Sequence, residues 1–356
     1  MNLTFESIVN PCDGYGSSAE QIALSLSEHE DVSSIFYKSV EKDNEKNIDL
    51  LQEETKILLH GESRNEVYLG YYSPTHSLRD KSLTDSAAKA KRRYIYTTWE
   101  STSPPKEWAE HINLFDKLFV SCEMCKQAFK SIGVTIPVSI VPLGVDEKLW
   151  PYKKRERNGR PLRFFTFANA DWNNYRKNFS LAFKAFRDCF GSRNDVELWI
   201  KVKSKDGIPA GVAYHVSKFD NVKIVEGDLN QLELLNLLYD VDCLIFPSRG
   251  EGFGLPVREA MSTGIPVIAA NWGGMYKPMS QSFNYSLNYK FVNYKSDTGE
   301  NLGYYVDPSE EHLKEILTHI SRFPDELIEN GLSCAKWVRE NETYEITAKK
   351  IVEEMI

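Results

Sequence analysis

No window of this 356-residue chain comes near the run of about eighteen apolar residues that a membrane-spanning helix needs. The opening Met-Asn-Leu-Thr-Phe-Glu has neither the basic nor the apolar region of a secretory leader, so a cytoplasmic location is expected. Positive charge is outnumbered as well. With 43 Lys and Arg against 51 Asp and Glu, the net charge is −8, which argues against a general affinity for nucleic acid. The six cysteines (12, 122, 125, 189, 243, 334) are scattered, and no disulfide is expected. Cys122-Glu-Met-Cys125 has the spacing of a redox or metal pair, but no second pair and no neighbouring histidine pair completes a zinc site. It opens an amphipathic segment over 123–132, which favours two small buried helical thiols. Repeats and low-complexity tracts are absent.

What is present reads as α/β. Apolar strand-like runs at 3–9, 31–36, 57–60, 66–72, 93–98, 117–120 and 138–142 alternate with helical segments, a pattern that implies a parallel sheet. The helix after the first strand is placed at 19–26. A charged stretch, Trp150-Pro-Tyr-Lys-Lys-Arg-Glu-Arg-Asn-Gly-Arg160, ends in a turn signal and reads as a linker. A second series follows: strands 163–168, 197–203, 222–225 and 243–246, with helices at 179–189 and 229–238. Helical periodicity returns at Leu313, Ile316, Leu317 and Ile320, and again from Trp337 to the end. Two domains of similar size are expected, at 1–152 and 160–335, with 336–356 as a terminal helix. Ligands in open parallel sheets bind beyond the carboxyl ends of the strands.

The most informative segment is 247–274. It runs from an apolar strand (243–246) through the turn Arg249-Gly-Glu251-Gly-Phe-Gly254 and a short helix to a second apolar strand (266–270). Glycines at 250, 252 and 254 allow close backbone approach to a ligand. The helix, opening near Leu255 with Pro256 in its first turn, offers N–H groups and partial positive charge to an anion. Glu251 precedes this helix and Glu259 lies one turn into it. The two therefore cannot form a pair on one helical face, and they suit the two ends of a long ligand. A sugar attached to a nucleoside diphosphate has the matching chemistry. Asn173-Asn-Tyr-Arg176-Lys177-Asn178, between a strand and a helix, adds an Arg and a Lys able to neutralise a diphosphate.

Glu251-Gly-Phe-Gly-Leu-Pro-Val-Arg-Glu259-Ala-Met with Gly264-Ile-Pro-Val resembles the E-x7-E motif of the retaining, nucleotide-sugar-dependent glycosyltransferases of family four. That resemblance implies the GT-B fold, in which two Rossmann-like domains face an interdomain cleft and the terminal helix returns to the first domain. It implies a donor sugar facing Glu251, ribose hydroxyls held by Glu259, and phosphate contacts from Lys177 and Arg176. Backbone contacts are implied at Gly252, Phe253, Gly254 and Leu255, and across the cleft at Gly16. Family members often carry their Arg and Lys several residues apart, whereas here the two are adjacent. No metal and no cofactor are implied; the nucleotide sugar is a substrate. The family's first-domain histidine has candidates in His60 and His76.

Further assignments come from residue chemistry. Lys201, or Lys203, at the end of its strand is a second candidate cation. Glu226-Gly227-Asp228 is a turn that suits the nucleobase. Trp99-Glu100, an aromatic beside a carboxylate, suits a sugar or other acceptor. Asp240-Val-Asp242 has a metal-binding spacing, but its place at a helix end running into a buried strand argues for structure. The expected function is a metal-independent retaining glycosyltransferase of unidentified acceptor and oligomeric state. The rivals are an enzyme that glycosylates DNA or RNA bases, supported by the basic runs 89–93 and 153–157; a sugar-nucleotide binder without catalysis; and a sugar epimerase of the same architecture.

Overall fold

The computed structural model describes residues 1–10, 14–40, 48–62, 66–73, 83–169, 176–203, 214–227, 229–296 and 298–356. The chain divides into two compact units: Met1–Asp146 with Asn293–Tyr304 and Glu342–Ile356, and Glu147–Val292 with Tyr305–Asn341. The division falls at 146/147, a few residues before the expected boundary. Residues 293–304 rejoin the first unit, a return that the sequence did not signal.

The first unit holds β1 (Asn2–Ser7), β2 (Ser34–Ser39), β3 (Val67–Tyr71), β4 (Arg92–Tyr96), β5 (Lys117–Val120) and β6 (Val138–Ile140), in the order β2-β1-β3-β4-β5-β6. All pairings are parallel; Phe5, for example, pairs with Tyr37 on one side and Leu69 on the other. Leu69, Ile95 and Leu118, from three adjacent strands, are fully buried, as expected where helices cover both faces of a parallel sheet. The last helix, Tyr344–Met355, belongs to this unit. Arg92 Nη1 and the Tyr94 hydroxyl donate to the Met355 carbonyl at 2.6 and 3.1 Å, placing a cation where the helix dipole is negative.

Three local expectations change. Residues 57–59 are helical, within Glu53–Leu59. Glu53 and Glu54 complement its first turn, Thr55 faces inward and Ile57 is exposed, so the short apolar run was a poor guide to strand. The first helix starts at Gly14 rather than at 19. A side chain at Gly16 would collide with the backbone of Asn10, so this glycine serves close packing inside the unit. The C-terminal periodicity resolves into two helices, Glu326–Asn341 and Tyr344–Met355. Thr343, accepting from the Ile346 N–H, caps the second.

The second unit is built on β7 (Leu162–Asn169), β8 (Val196–Lys203), β9 (Val222–Glu226), β10 (Cys243–Phe246), β11 (Val267–Ala270) and β12 (Tyr285–Leu287), ordered β12-β11-β10-β7-β8-β9 and parallel throughout. Its core joins Phe164, Phe186, Leu198, Ile245 and Ile268. A two-stranded ribbon, β13 (Tyr289–Lys295) with β14 (Asn301–Pro308), was not anticipated. Its signal was there in Tyr289 and Phe291 on one strand and Leu302, Tyr304 and Val306 on the other, which read with a period of two.

The stretch read as a linker is anchored in the second unit. Arg155 is buried; its Nη1 donates to the carbonyls of Leu238, Tyr239 and Val241 at 2.9, 2.8 and 3.1 Å, and its Nη2 to Thr263 at 3.1 Å. It therefore caps the carboxyl ends of the helices Gln231–Asp240 and Leu255–Ser262. Burial lowers its pKa to about 10, which leaves it charged at neutral pH. Asp242, from the Asp-x-Asp spacing, is buried and takes both nitrogens of Arg160 at 2.6 and 2.8 Å.

Candidate functional site

In the second sheet the chain winds outward in both directions from β7 and β10, so the strand order reverses between them. At such a switch point the loops leaving neighbouring strands diverge and open a crevice beyond the strand ends. The loop after β7 delivers Arg176 and Lys177; the loop after β10 delivers Ser248, Arg249 and Glu251. Asn178 takes a left-handed backbone conformation (φ 52°), which Asn tolerates better than most residues, and the helix Phe179–Phe190 starts directly after it. One backbone and one side-chain bond join the two loops: the Arg249 N–H donates to the Arg176 carbonyl at 2.8 Å, and Arg176 Nη1 to the Gly250 carbonyl at 3.0 Å.

Three donors converge on one oxygen. Glu251 Oε1 accepts from Lys177 Nζ at 2.7 Å, Arg176 Nη1 at 3.0 Å and Ser248 Oγ at 2.6 Å. Burial pushes the Glu251 carboxyl up, but the charges of Lys177 and Arg176, with hydrogen bonds from Lys177 and Ser248, outweigh it and hold the pKa below the usual carboxylate range. Among the described residues no group donates to Oε2. The sequence reading had placed Glu251, Lys177 and Arg176 in one site, and the structure brings them together. It missed Ser248, whose signal was a small hydroxyl three residues before an acid, the spacing of a local side-chain turn.

Glu259 sits on the helix Leu255–Ser262, with Pro256 in the first turn as expected. It is partly buried, and burial pushes its pKa up to about 7. No side chain among the described residues pairs with it. One carboxylate of the motif thus has one oxygen held by two cations and a hydroxyl, and the other has no side-chain partner among the described residues.

Part of the glycine pattern answers to packing inside the protein. Gly254 adopts φ 88°, which a side chain rarely accepts. A Cβ on Gly274 would overlap the backbone of Gly252 and Phe253, and the Gly274 N–H donates to the Glu251 carbonyl at 2.8 Å. Beneath the turn lies Arg258, fully buried. Its Nη1 donates to the Phe253 carbonyl and its Nη2 to the Gly274 carbonyl at 2.7 Å, with the guanidinium 4.1 Å from the Phe253 ring centroid. Gly252 and Phe253 are buried and Leu255 is partly exposed. Arg258 has no assigned role in the sequence reading; a charge flanked by Val257 and Ala260 in a buried helix was its signal.

Each remaining candidate has its own local setting. Lys201 is buried on β8 and donates to the carbonyl of Gly227 at 2.7 Å, so those two form a pair at the ends of β8 and β9. Asp228 and residues 173–175 fall outside the described residues, as do His76 and the Lys203 side chain. In the first unit, Trp99 donates to Ser101 Oγ at 2.7 Å and meets the buried Trp108 edge-on at 5.0 Å; Glu100 beside it is partly exposed. His60 caps the end of Glu53–Leu59. Cys125 is helical and buried, whereas Cys122 is the half-buried N-cap of its helix; the described cysteines are free, with these two sulfurs 3.5 Å apart.

Among the described residues no group of His, Cys, Asp and Glu is arranged to hold a metal ion, and no helix is long and apolar enough to cross a membrane.

Comparison with known proteins bears on the same elements. A sequence profile described as "Family 4 Glycosyltransferase in conflict systems" matches residues 121–329. The MMP alpha-(1->4)-mannosyltransferase of Mycolicibacterium hassiacum is 29% identical over 200 residues, which is 55% of this chain and 46% of that protein. The chain thus spans less than half the length of that curated relative. Sucrose-phosphate synthase from Thermosynechococcus elongatus superposes with a TM-score of 0.71 at 13% identity, covering 100% of this chain and 98% of that one. HepE of Anabaena, solved in complex with UDP, gives 0.69 at 13% identity over 99% of each chain. At these identities the likeness is one of fold, and it is the GT-B architecture of two Rossmann-like domains.

Proposed function

Because the chain belongs to the family 4 glycosyltransferases described from conflict systems, we propose that it transfers a sugar from a nucleoside diphosphate donor, with retention of anomeric configuration and without a metal. The observation that carries this reading is the convergence of Lys177, Arg176 and Ser248 on Glu251 at the switch point of the second sheet. Two cations beside a helix start match a diphosphate whose negative charge grows as the bond to the sugar breaks. Stabilising that charge is the main task of such a site, at about 3–4 kcal/mol per well-placed donor. Lys177 and Arg176 supply the neutralisation that other enzymes draw from a divalent ion.

Glu251 would keep Ser248 and turn its second oxygen to the donor sugar hydroxyls as the diphosphate takes a share of the cations. Glu259, with no protein partner among the described residues, would accept the ribose hydroxyls. The Lys201–Gly227 pair fits the nucleobase end, and Trp99 and Glu100 remain proposed acceptor contacts. The leaving phosphate would take the acceptor proton. A nucleic-acid acceptor loses support, because Arg155 of one basic run and Arg92 of the other cap helices.

The test is a thermal-shift panel of UDP-, GDP-, ADP- and dTDP-sugars followed by a nucleotide-release assay. A matching donor at a hundredfold excess over its dissociation constant stabilises by about 2.7 kcal/mol. Stabilisation by no member of the panel, or full nucleotide release by the Lys177→Ala and Glu251→Ala enzymes, refutes the reading. Binding without turnover against any acceptor would make the protein a sugar-nucleotide binder instead.

A further inference from the structure

Two residues before Gly274, on the loop that packs against the Glu251 turn, the second unit displays aromatic surface. Trp272 is partly exposed; Phe291, on β13, has 57% of its surface exposed. Their ring centroids are 6.2 Å apart at 79°, and Tyr289 meets Phe291 at 5.8 Å and 82°. Tyr276, on the next turn of chain, is 62% exposed. Large apolar rings clustered in water mark a binding surface more often than chance does. Around them are neutral hydrogen-bonding groups, Asn271 and Ser280, mutually bonded at 3.3 Å, and one exposed cation, Lys277. The nearby Lys290 leans towards Asp307 at 3.8 Å, so its charge is partly offset.

We propose that this shelf binds the acceptor and that the acceptor is a neutral saccharide. The inference rests on the transferase reading above and names its second substrate. A pyranose has an apolar C–H face, which covers an aromatic ring, and a hydroxyl rim, which needs donors and acceptors such as Asn271 and Ser280. Edge-on rings form a stepped corner rather than a column, which suits a puckered sugar better than a stack of flat bases. A strand of nucleic acid would need a cationic track beside its stacking rings; the single exposed Lys277, the offset Lys290 and the overall charge of −8 fall short of one. Continuity with the donor turn comes through Gly274, whose backbone touches Gly252.

The experiment titrates the full chain with neutral hexasaccharides (gluco-, manno-, galacto- and N-acetylglucosamine series) and, separately, with a twenty-nucleotide oligo-dT, while UDP and GDP affinities are measured on the same samples. At least one hexasaccharide is expected to bind. Phe291→Ala and Trp272→Ala should weaken it about tenfold, consistent with the loss of a ring contact, and Trp272→Phe should restore most of the affinity. Nucleotide binding without hexasaccharide binding overturns this inference alone, as does saccharide binding that ignores both substitutions. Phe291-dependent binding of oligo-dT overturns it in favour of a nucleic acid. Failure of the wild-type chain to bind any nucleotide instead refutes the donor reading on which it rests.

Discussion

The two units share a frame of six parallel strands and differ in what they place at its switch point. In the second sheet, between β7 and β10, the meeting groups are charged: Lys177, Arg176 and Glu251. In the first, around β1, β3 and β4, hydroxyls meet: Ser18 and Tyr71 at 2.7 Å, Tyr15 and Thr97 at 3.3 Å, and Ser7 on the Tyr71 carbonyl. Burial holds the Tyr15 hydroxyl well above its usual pKa, and the Glu100 charge adds to the shift, so it stays a neutral donor. The buried Glu6 is satisfied by Tyr68, Thr84 and Lys38. The same architecture therefore gathers two cations on a carboxylate in one unit and mostly hydroxyls, with the single Lys38–Glu6 ion pair beside them, in the other. The fold provides the place, and a handful of side chains decide the chemistry.

That contrast can be attacked at its strongest point. Lys177→Ala should lower turnover by about 10²–10³, the loss typical of one charge-stabilising donor, whereas a comparable fall from Ser18→Ala would erase the distinction between the units; steady-state nucleotide release on both variants decides. Next in size is a purely structural effect. Arg155→Ala uncovers several helix-end carbonyls and should cost about 3 kcal/mol of stability, seen as a lower urea midpoint, with turnover per folded molecule retained. Loss of turnover without loss of stability would move Arg155 into the site.

A smaller and more diagnostic effect concerns Glu259. Its folded pKa near 7 lies above the ordinary 4.5. The folded state therefore binds its proton more tightly than the unfolded chain does. Its contribution to stability is complete below about 4.5 and is lost as pH rises towards 7. Ligand binding runs the other way, because the ionised carboxylate is the better acceptor for ribose hydroxyls. Nucleotide affinity should rise as pH climbs through 7, and Glu259→Gln should weaken binding about tenfold, the value of a charged hydrogen bond, and flatten the profile. Calorimetry at pH 6 and pH 8 measures both; an unchanged slope in the variant removes Glu259 from the ribose. Smallest of all, Ser18→Ala should change turnover less than about threefold, within the effect of one neutral hydrogen bond.

Much of the second unit was legible in the chain because buried parallel strands are written as short apolar runs, and 243–246 and 267–270 stand out between turn residues. Glu251 and Glu259 were legible because their spacing straddles a helix start. Ser248 and Arg258 were not, since their roles depend on where two loops meet in space. Arg155 was misread for a related reason. In the sequence a buried cap and a solvated charge look alike; only the open carbonyls of two distant helices distinguish them. The ribbon β13–β14 was overlooked because its aromatic alternation lies outside the strand–helix rhythm.

The contact between Gly274 and Gly252 has a consequence beyond packing. With backbone against backbone and no room for a methyl group, a displacement of the loop bearing Trp272 presses directly on the turn bearing Glu251. Any effect that a ligand on one loop has on the affinity of a ligand on the other must, by thermodynamic reciprocity, run in both directions by an identical factor.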